Sequence, residues 1–324
     1  MKLLYTFCLC CLSLELLYSV SAKPLTTEKI VFSSYRNGNF EIYMMNPDGS
    51  QQVRLTNHRA DDLNPVCSPT GEEILFVSDR GGERDLYIMR ADGGGERPVF
   101  RTAPAYRDTP AWAPDGKKIA YIQLDRETKQ RIVCTAKSDG TSVNRVVEME
   151  KADGEVPVWA PDGTVLAFVV VDEMHWASRQ IRFINLETRK QETLLPDDVP
   201  RMMQPAWSPV HNKIAFVWHR PALAQQSIFI VNRDGSGLQQ IVDVIIARGI
   251  KALTWSPSDD ELAYSQAIGG KSQIFKINLV THEITQLTHD GSNYVSDWFD
   301  PLALPVSPQP QLFTTTWGEI KSRD

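Results

Sequence analysis

The stretch PAWAPDGKKIAY, Pro110–Tyr121, sets a turn, Asp115-Gly116, between two short apolar runs. Nearly the same phrase returns as PVCSPTGEEILF from Pro65, PVWAPDGTVLAF from Pro157, PAWSPVHNKIAF from Pro205 and LTWSPSDDELAY from Leu253. The proline closing each Trp-Ser or Trp-Ala pair (Cys-Ser in the first copy) falls at Pro69, Pro114, Pro161, Pro209 and Pro257, and a degenerate sixth copy, DWFDP, ends at Pro301. The steps between them are 45, 47, 48, 48 and 44 residues. Length alone suggests about two domains. Units repeating at this period share one continuous core, so the repeat overrides that expectation.

Each phrase ends in an apolar run: Ile74-Leu75-Phe76, Ile119-Ala120-Tyr121, Leu166-Ala167-Phe168, Ile214-Ala215-Phe216 and Leu262-Ala263-Tyr264. Ile30-Val31-Phe32 supplies a sixth without a preceding phrase. About ten residues later comes a second run in every unit, such as Ile42-Tyr43-Met44 or Leu86-Tyr87-Ile88. Asp48-Gly49, Asp92-Gly93, Asp139-Gly140 and Asp234-Gly235 follow in four units. Asp-Gly between short β-branched or aromatic runs is a hairpin signal. A last short run, Arg54-Leu55-Thr56 or Gln286-Leu287-Thr288, completes four strands per unit.

Four strands every 45 or so residues describe a propeller blade, and six copies give a six-bladed, all-β propeller of four-stranded antiparallel blades. Pro65, Pro110, Pro157 and Pro205 sit inside the first strand, where each removes a ladder donor, so that strand is an edge lining the central channel. The Trp two residues further on points off this edge to pack between blades. The chain starts at Ile30 with a second strand and finishes with a first strand, Val295 to Pro301. Paired, these halves make one blade and close the ring without an open edge.

A net charge of −6 and a pI near 5.6 argue against nucleic acid as partner. Lys2, an apolar run from Leu3 to Val20, and the small-residue exit Ser21-Ala22 read as a secretory signal cleaved after Ala22. The other reading of residues 1–22 is an uncleaved membrane anchor. Of five cysteines, Cys8, Cys10 and Cys11 fall in that segment. Cys67 and Cys134 remain, each read as a small buried apolar group rather than half of a disulfide. The propeller is expected over residues 23–301. The Pro-rich residues 302–324 form a tail across the surface.

The phrase P-x-W-[SA]-P-D-G-x-x-[IL]-A-[FY], the stretch VSDRGGERDLYIMRADG from Val77 to Gly93, and NPDGSQQVRLTNH from Asn46 to His58 closely resemble TolB-type propeller repeats. The resemblance covers roughly residues 28 to 301. It implies the propeller fold and, as an expectation, an envelope-associated scaffold in the periplasm or outside the cell. TolB itself carries an α/β domain before its propeller, and only a few residues separate the signal from the first strand here.

The short turns after first and third strands lie on one face of such a disc. The longer, variable connections after second and fourth strands lie on the other, where function concentrates. That face is the candidate binding surface. Its residues are Arg36, Asp62, Arg80, Arg84, Arg107, Asp108, Glu155, Trp176, His219, Arg220, Arg248 and Tyr294. Arg, Tyr and Trp with few Lys suit a protein or peptide interface. The turn carboxylates Asp48, Asp92, Asp115, Asp139, Asp162 and Asp234 are structural, since such turns favour Asp-Gly.

Enzyme signatures are missing. No G-x-S-x-G elbow occurs, and His282-Glu283 has no second zinc-binding His after it. The leading expectation is a monomeric, non-catalytic scaffold for a protein or peptide of the cell envelope, with no cofactor. Calcium on the channel axis is conceivable. The alternative is a carbohydrate-binding, hydrolase or lyase propeller with its site at the channel mouth.

Overall fold

The computed structural model describes residues 24–102, 105–149, 155–171, 179–195, 201–220, 223–243, 245–246 and 249–302. The leader, Trp176, Arg248 and the tail from Ala303 onward lie outside the described residues. Six antiparallel sheets follow one another around a ring, and no α-helix occurs among the described residues.

The second blade, for example, is a meander of β4 (Asp62–Cys67), β5 (Glu73–Ser78), β6 (Asp85–Arg90) and β7 (Arg97–Pro98). The third holds β8 (Arg107–Trp112), β9 (Lys118–Leu124), β10 (Arg131–Lys137) and β11 (Asn144–Met149). The fourth holds β12 (Glu155–Trp159), β13 (Val165–Val171), β14 (Arg179–Asn185) and β15 (Gln191–Thr193). In the fifth, β16 (Arg201–Trp207), β17 (Lys213–Arg220), β18 (Gln225–Asn232) and β19 (Gln239–Gln240) are joined by β20 (Ile245–Ile246), which pairs with β18. The sixth holds β21 (Ile250–Trp255), β22 (Glu261–Ile268), β23 (Lys271–Asn278) and β24 (Ile284–Gln286).

The first blade is the composite expected from the sequence. Here β25 (Ser292–Phe299) pairs with β1 (Lys29–Tyr35), followed by β2 (Phe40–Met45) and β3 (Val53–Arg54). The register runs from Lys29 opposite Phe299 to Tyr35 opposite Ser292. Backbone hydrogen bonds thus join the two ends of the ring and abolish the free edge.

The core lies between blades. Leu75, Leu86 and Ile88 of the second blade pack against Tyr121, Ile132 and Cys134 of the third, all essentially inaccessible to water. Each such side chain contributes roughly 1.5–3 kcal/mol by leaving water. The Asp-Gly turns fit these seams. Gly93 has φ +87°, and a Cβ there would stand 2.6 Å from the Leu55 carbonyl oxygen of the preceding blade. Only a glycine meets both conditions. Where the later repeats lose Asp-Gly, Asn212 (φ 52°) and Asp259 (φ 63°) take the left-handed position instead, as short polar side chains can.

The prolines of the first strands do sit on the channel edge, with one feature the sequence does not announce. The residue before each proline has positive φ: Asn64 51°, Thr109 49°, Val156 33° and Gln204 51°. Each lies where the pairing with the second strand slips. This is a β-bulge, and the same slip recurs in β21 and β25, where Leu253 and Ser296 stand in the proline's place.

Candidate functional site

On the variable-loop face, the predicted residues are held mostly by one another. Asp62, fully buried at the start of β4, accepts two hydrogen bonds from Arg80 at 3.1 and 2.9 Å. Burial pushes the Asp62 carboxyl up, while hydrogen bonds from Ser78 and Arg80 pull it back. The Arg80 guanidinium also lies 5.4 Å from the Phe76 ring centroid and 5.2 Å from that of Tyr87. Arg107, buried at the start of β8, bonds Asp85 through both carboxylate oxygens at 2.9 Å and covers the Phe100 ring at 4.0 Å. Asp108 accepts from Arg84 and from Asn64, each at 2.9 Å, so it couples the second and third blades.

In the first blade, Arg36 bonds Ser34, Gln52 and Asn293 and lies 4.6 Å from the Tyr43 ring centroid. Beside it, Tyr294 meets the Phe40 ring edge-on at 5.7 Å, and Phe40 meets Tyr35 at 5.2 Å. Tyr35 is 45% exposed. His219 is buried on β17, opposite Arg201 on one side and Gln226 on the other. Arg220 ends β17 with its guanidinium 5.6 Å from the Trp218 ring centroid. Glu155 opens β12 opposite Val169. Asp62, Arg80, Arg84, Arg107 and Asp108 therefore form one neighbourhood, Arg36 and Tyr294 adjoin it in the first blade, and His219 and Arg220 belong to the fifth. Among the described residues, no three His, Cys, Asp or Glu side chains gather as metal ligands.

The opposite end of the channel carries a feature that sequence reasoning missed. The innermost strands of all six blades, β4, β8, β12, β16, β21 and β25, wall one axial cavity of about 330 Å³. Trp112, Trp159, Trp207, Trp255 and Trp298 line it, with Pro114, Pro161 and Pro209 from the short turns at its rim. These tryptophans also clasp the ring. The indole N–H of Trp112 donates to the Val66 carbonyl at 3.2 Å, that of Trp159 to Ala111 at 3.3 Å, and that of Trp255 to Ala206 at 3.0 Å. Each bond crosses to the preceding blade. Trp207 differs, donating within its own blade to Asn212 Oδ1 at 3.0 Å. The signal for this cavity was the Pro-x-Trp-x-Pro phrase itself, which reads locally as a packing motif.

A family model described as TolB beta propeller domain matches residues 23–211. The chain belongs to this TolB beta propeller family. Within it, a 45-residue stretch is 51% identical to the Tol-Pal system protein TolB of Geobacter sulfurreducens, covering 14% of this chain and 10% of that relative's length. The solved TolB of Acinetobacter baumannii superposes with a TM-score of 0.73 at 16% identity, over 84% of this chain and 66% of that one. A structure of putative TolB from Agrobacterium tumefaciens gives a TM-score of 0.66 at 16% identity, over 84% of this chain and 98% of that one. At such identity these structures speak for the fold. No helix among the described residues of this TolB-type propeller is long and apolar enough to cross a membrane.

Proposed function

We propose that this TolB-type propeller is an exported, non-catalytic scaffold that binds a protein or peptide of the cell envelope through its variable-loop face. The observation that carries the reading is the aromatic group Tyr35, Phe40 and Tyr294 of the first blade, beside the Arg36–Asn293 contact. Tyrosines and arginines held in fixed positions are the side chains from which protein interfaces draw most of their affinity. Arg84, with its side chain 40% exposed, extends the same rim into the second blade. Export rests on the reading of residues 1–22 as a secretory signal. Family membership supports the envelope, and the name Tol-Pal system protein belongs to the relative that carries it.

The test is affinity capture from envelope extract with the tagged chain and with the Tyr35→Ala, Arg84→Glu double variant. Both residues are exposed enough to change without unfolding the ring. A partner retained by the unaltered chain and lost by the variant supports the reading. Equal capture by both removes the site from this face, and a turnover assay that detects glycan cleavage removes the non-catalytic role.

A further inference from the structure

The last described residue, Leu302, lies close to the axial cavity along the chain. Trp298 and Asp297 belong to the cavity wall, and Leu302 follows Trp298 by only four positions. Counted from the tryptophan, Asp300 holds in its repeat the place of Pro114, Pro161 and Pro209 on the cavity rim, and Pro301 follows it by one residue. Leu302 is 82% exposed, an apolar side chain left in water.

The chemistry of the cavity matches that of the residues that follow. Residues 303–313 read ALPVSPQPQLF, with Pro305, Pro308 and Pro310 among Leu, Val and Phe and with no charge. Such a sequence favours the polyproline II helix, which has little conformational freedom to lose on binding. Grooves lined by aromatic rings are the usual receptors for that helix, and five tryptophans line this one. Its volume lies within the range that holds small ligands and peptide side chains. Eleven residues in this conformation reach about 34 Å, ample to turn back over a mouth that begins four residues upstream. Tethering raises the local concentration to the millimolar range, so even a weak contact is populated.

We propose that residues 303–313 fold back as an intramolecular ligand of the axial tryptophan cavity. The proposal is independent of the partner assigned to the variable-loop face, because the two sites occupy opposite ends. An external Pro-rich or apolar peptide then gains the cavity only by displacing the tail.

Amide hydrogen exchange on the full chain, with no partner present, tests it. The non-proline amides of 303–313 should exchange at least tenfold more slowly than an unstructured peptide of that sequence. Thr254→Trp, which fills the cavity, should return them to the unstructured rate while the β1–β25 amides stay protected, showing that the ring is intact. Leu312→Asp with Phe313→Asp, outside the ring altogether, should have the same effect and make the cavity tryptophans more open to acrylamide quenching. Unstructured exchange rates in the unaltered chain would overturn the proposal. So would protection that survives both changes, or protection lost with no change in tryptophan quenching in the tail variant.

Discussion

Asp297 Oδ2 accepts the backbone N–H of Cys67 at 2.9 Å, across the seam between the first and second blades. Three other seams are bridged by an indole, from Trp112, Trp159 and Trp255, to a carbonyl one blade back. The second blade has Cys67 where its neighbours have tryptophan, so no indole is available there. Asp297 stands in the position of Ala111 and Ala206, whose carbonyls receive those indoles, and it supplies a side-chain acceptor in their stead. One departure from the repeat compensates the other at the seam next to ring closure.

That arrangement carries a pH signature. The Asp297 carboxyl is pushed up to about 6, chiefly by burial, with the amides of Cys67 and Trp298 pulling against the shift. An acid whose native pKa lies above its unfolded value, near 4, holds a proton in the native state that the unfolded chain has already released. Its contribution is therefore full below about pH 4 and is lost as pH rises through 6. Asp297→Asn should flatten the fall in unfolding midpoint between about pH 4.5 and 7, measured by calorimetry at several pH values. An unchanged pH slope would mean that the carboxyl is not buried as described.

Gly93 and Gly82 share positive φ, at +87° and +97°, yet their surroundings differ. A Cβ added at Gly93 would meet backbone, the Leu55 carbonyl oxygen at 2.6 Å, whereas one added at Gly82 would meet nothing within 4 Å. Gly82→Ala should cost only the left-handed conformation, roughly 1 kcal/mol. Gly93→Ala should cost about 2–3 kcal/mol, because the blade seam must open as well. Denaturant midpoints of the two variants check the difference.

Arg107 and Arg84 look equivalent in the sequence as loop-face cations, and the ring treats them differently. Arg107→Ala leaves Asp85 buried without its counter-ion, a loss of about 3–5 kcal/mol. Arg84→Ala should cost under about 1 kcal/mol, since Arg84 is partly exposed and Asp108 keeps its bond from Asn64. Thermal unfolding separates them. For the same reason, the interface variant alters Arg84 and leaves Arg107 in place.

Trp112→Phe removes a hydrogen bond between blades, whereas Trp207→Phe removes one within a blade. Leaving the Val66 carbonyl without its donor should cost about 1–2 kcal/mol in unfolding free energy. If blade coupling runs through these indoles, Trp112→Phe should also broaden the unfolding transition, and Trp207→Phe should not. Equal breadth in both variants would count against the clasp.

The blade count, the strand order and the closure of Phe32's strand onto Trp298's were legible because their signals are local. Asp-Gly turns, Pro-marked edges and alternating apolar runs act within a few residues of one another. The buried cysteines were legible for the same reason. The bulges before Pro65, Pro110, Pro157 and Pro205 were not. The slip recurs in β21 and β25, where Leu253 and Ser296 replace the proline, so no residue type marks it in the sequence.

Sequence alone determined that this chain is a six-bladed ring, since every repeat must bury its faces on the next and only pairing of the two end strands leaves no edge. Tertiary structure decided which side chains remain available. Arg107 meets an aspartate 22 residues upstream in another blade, and the axial cavity gathers tryptophans about 45 residues apart. Contacts at those separations depend on how blades seat against each other, which no local pattern encodes.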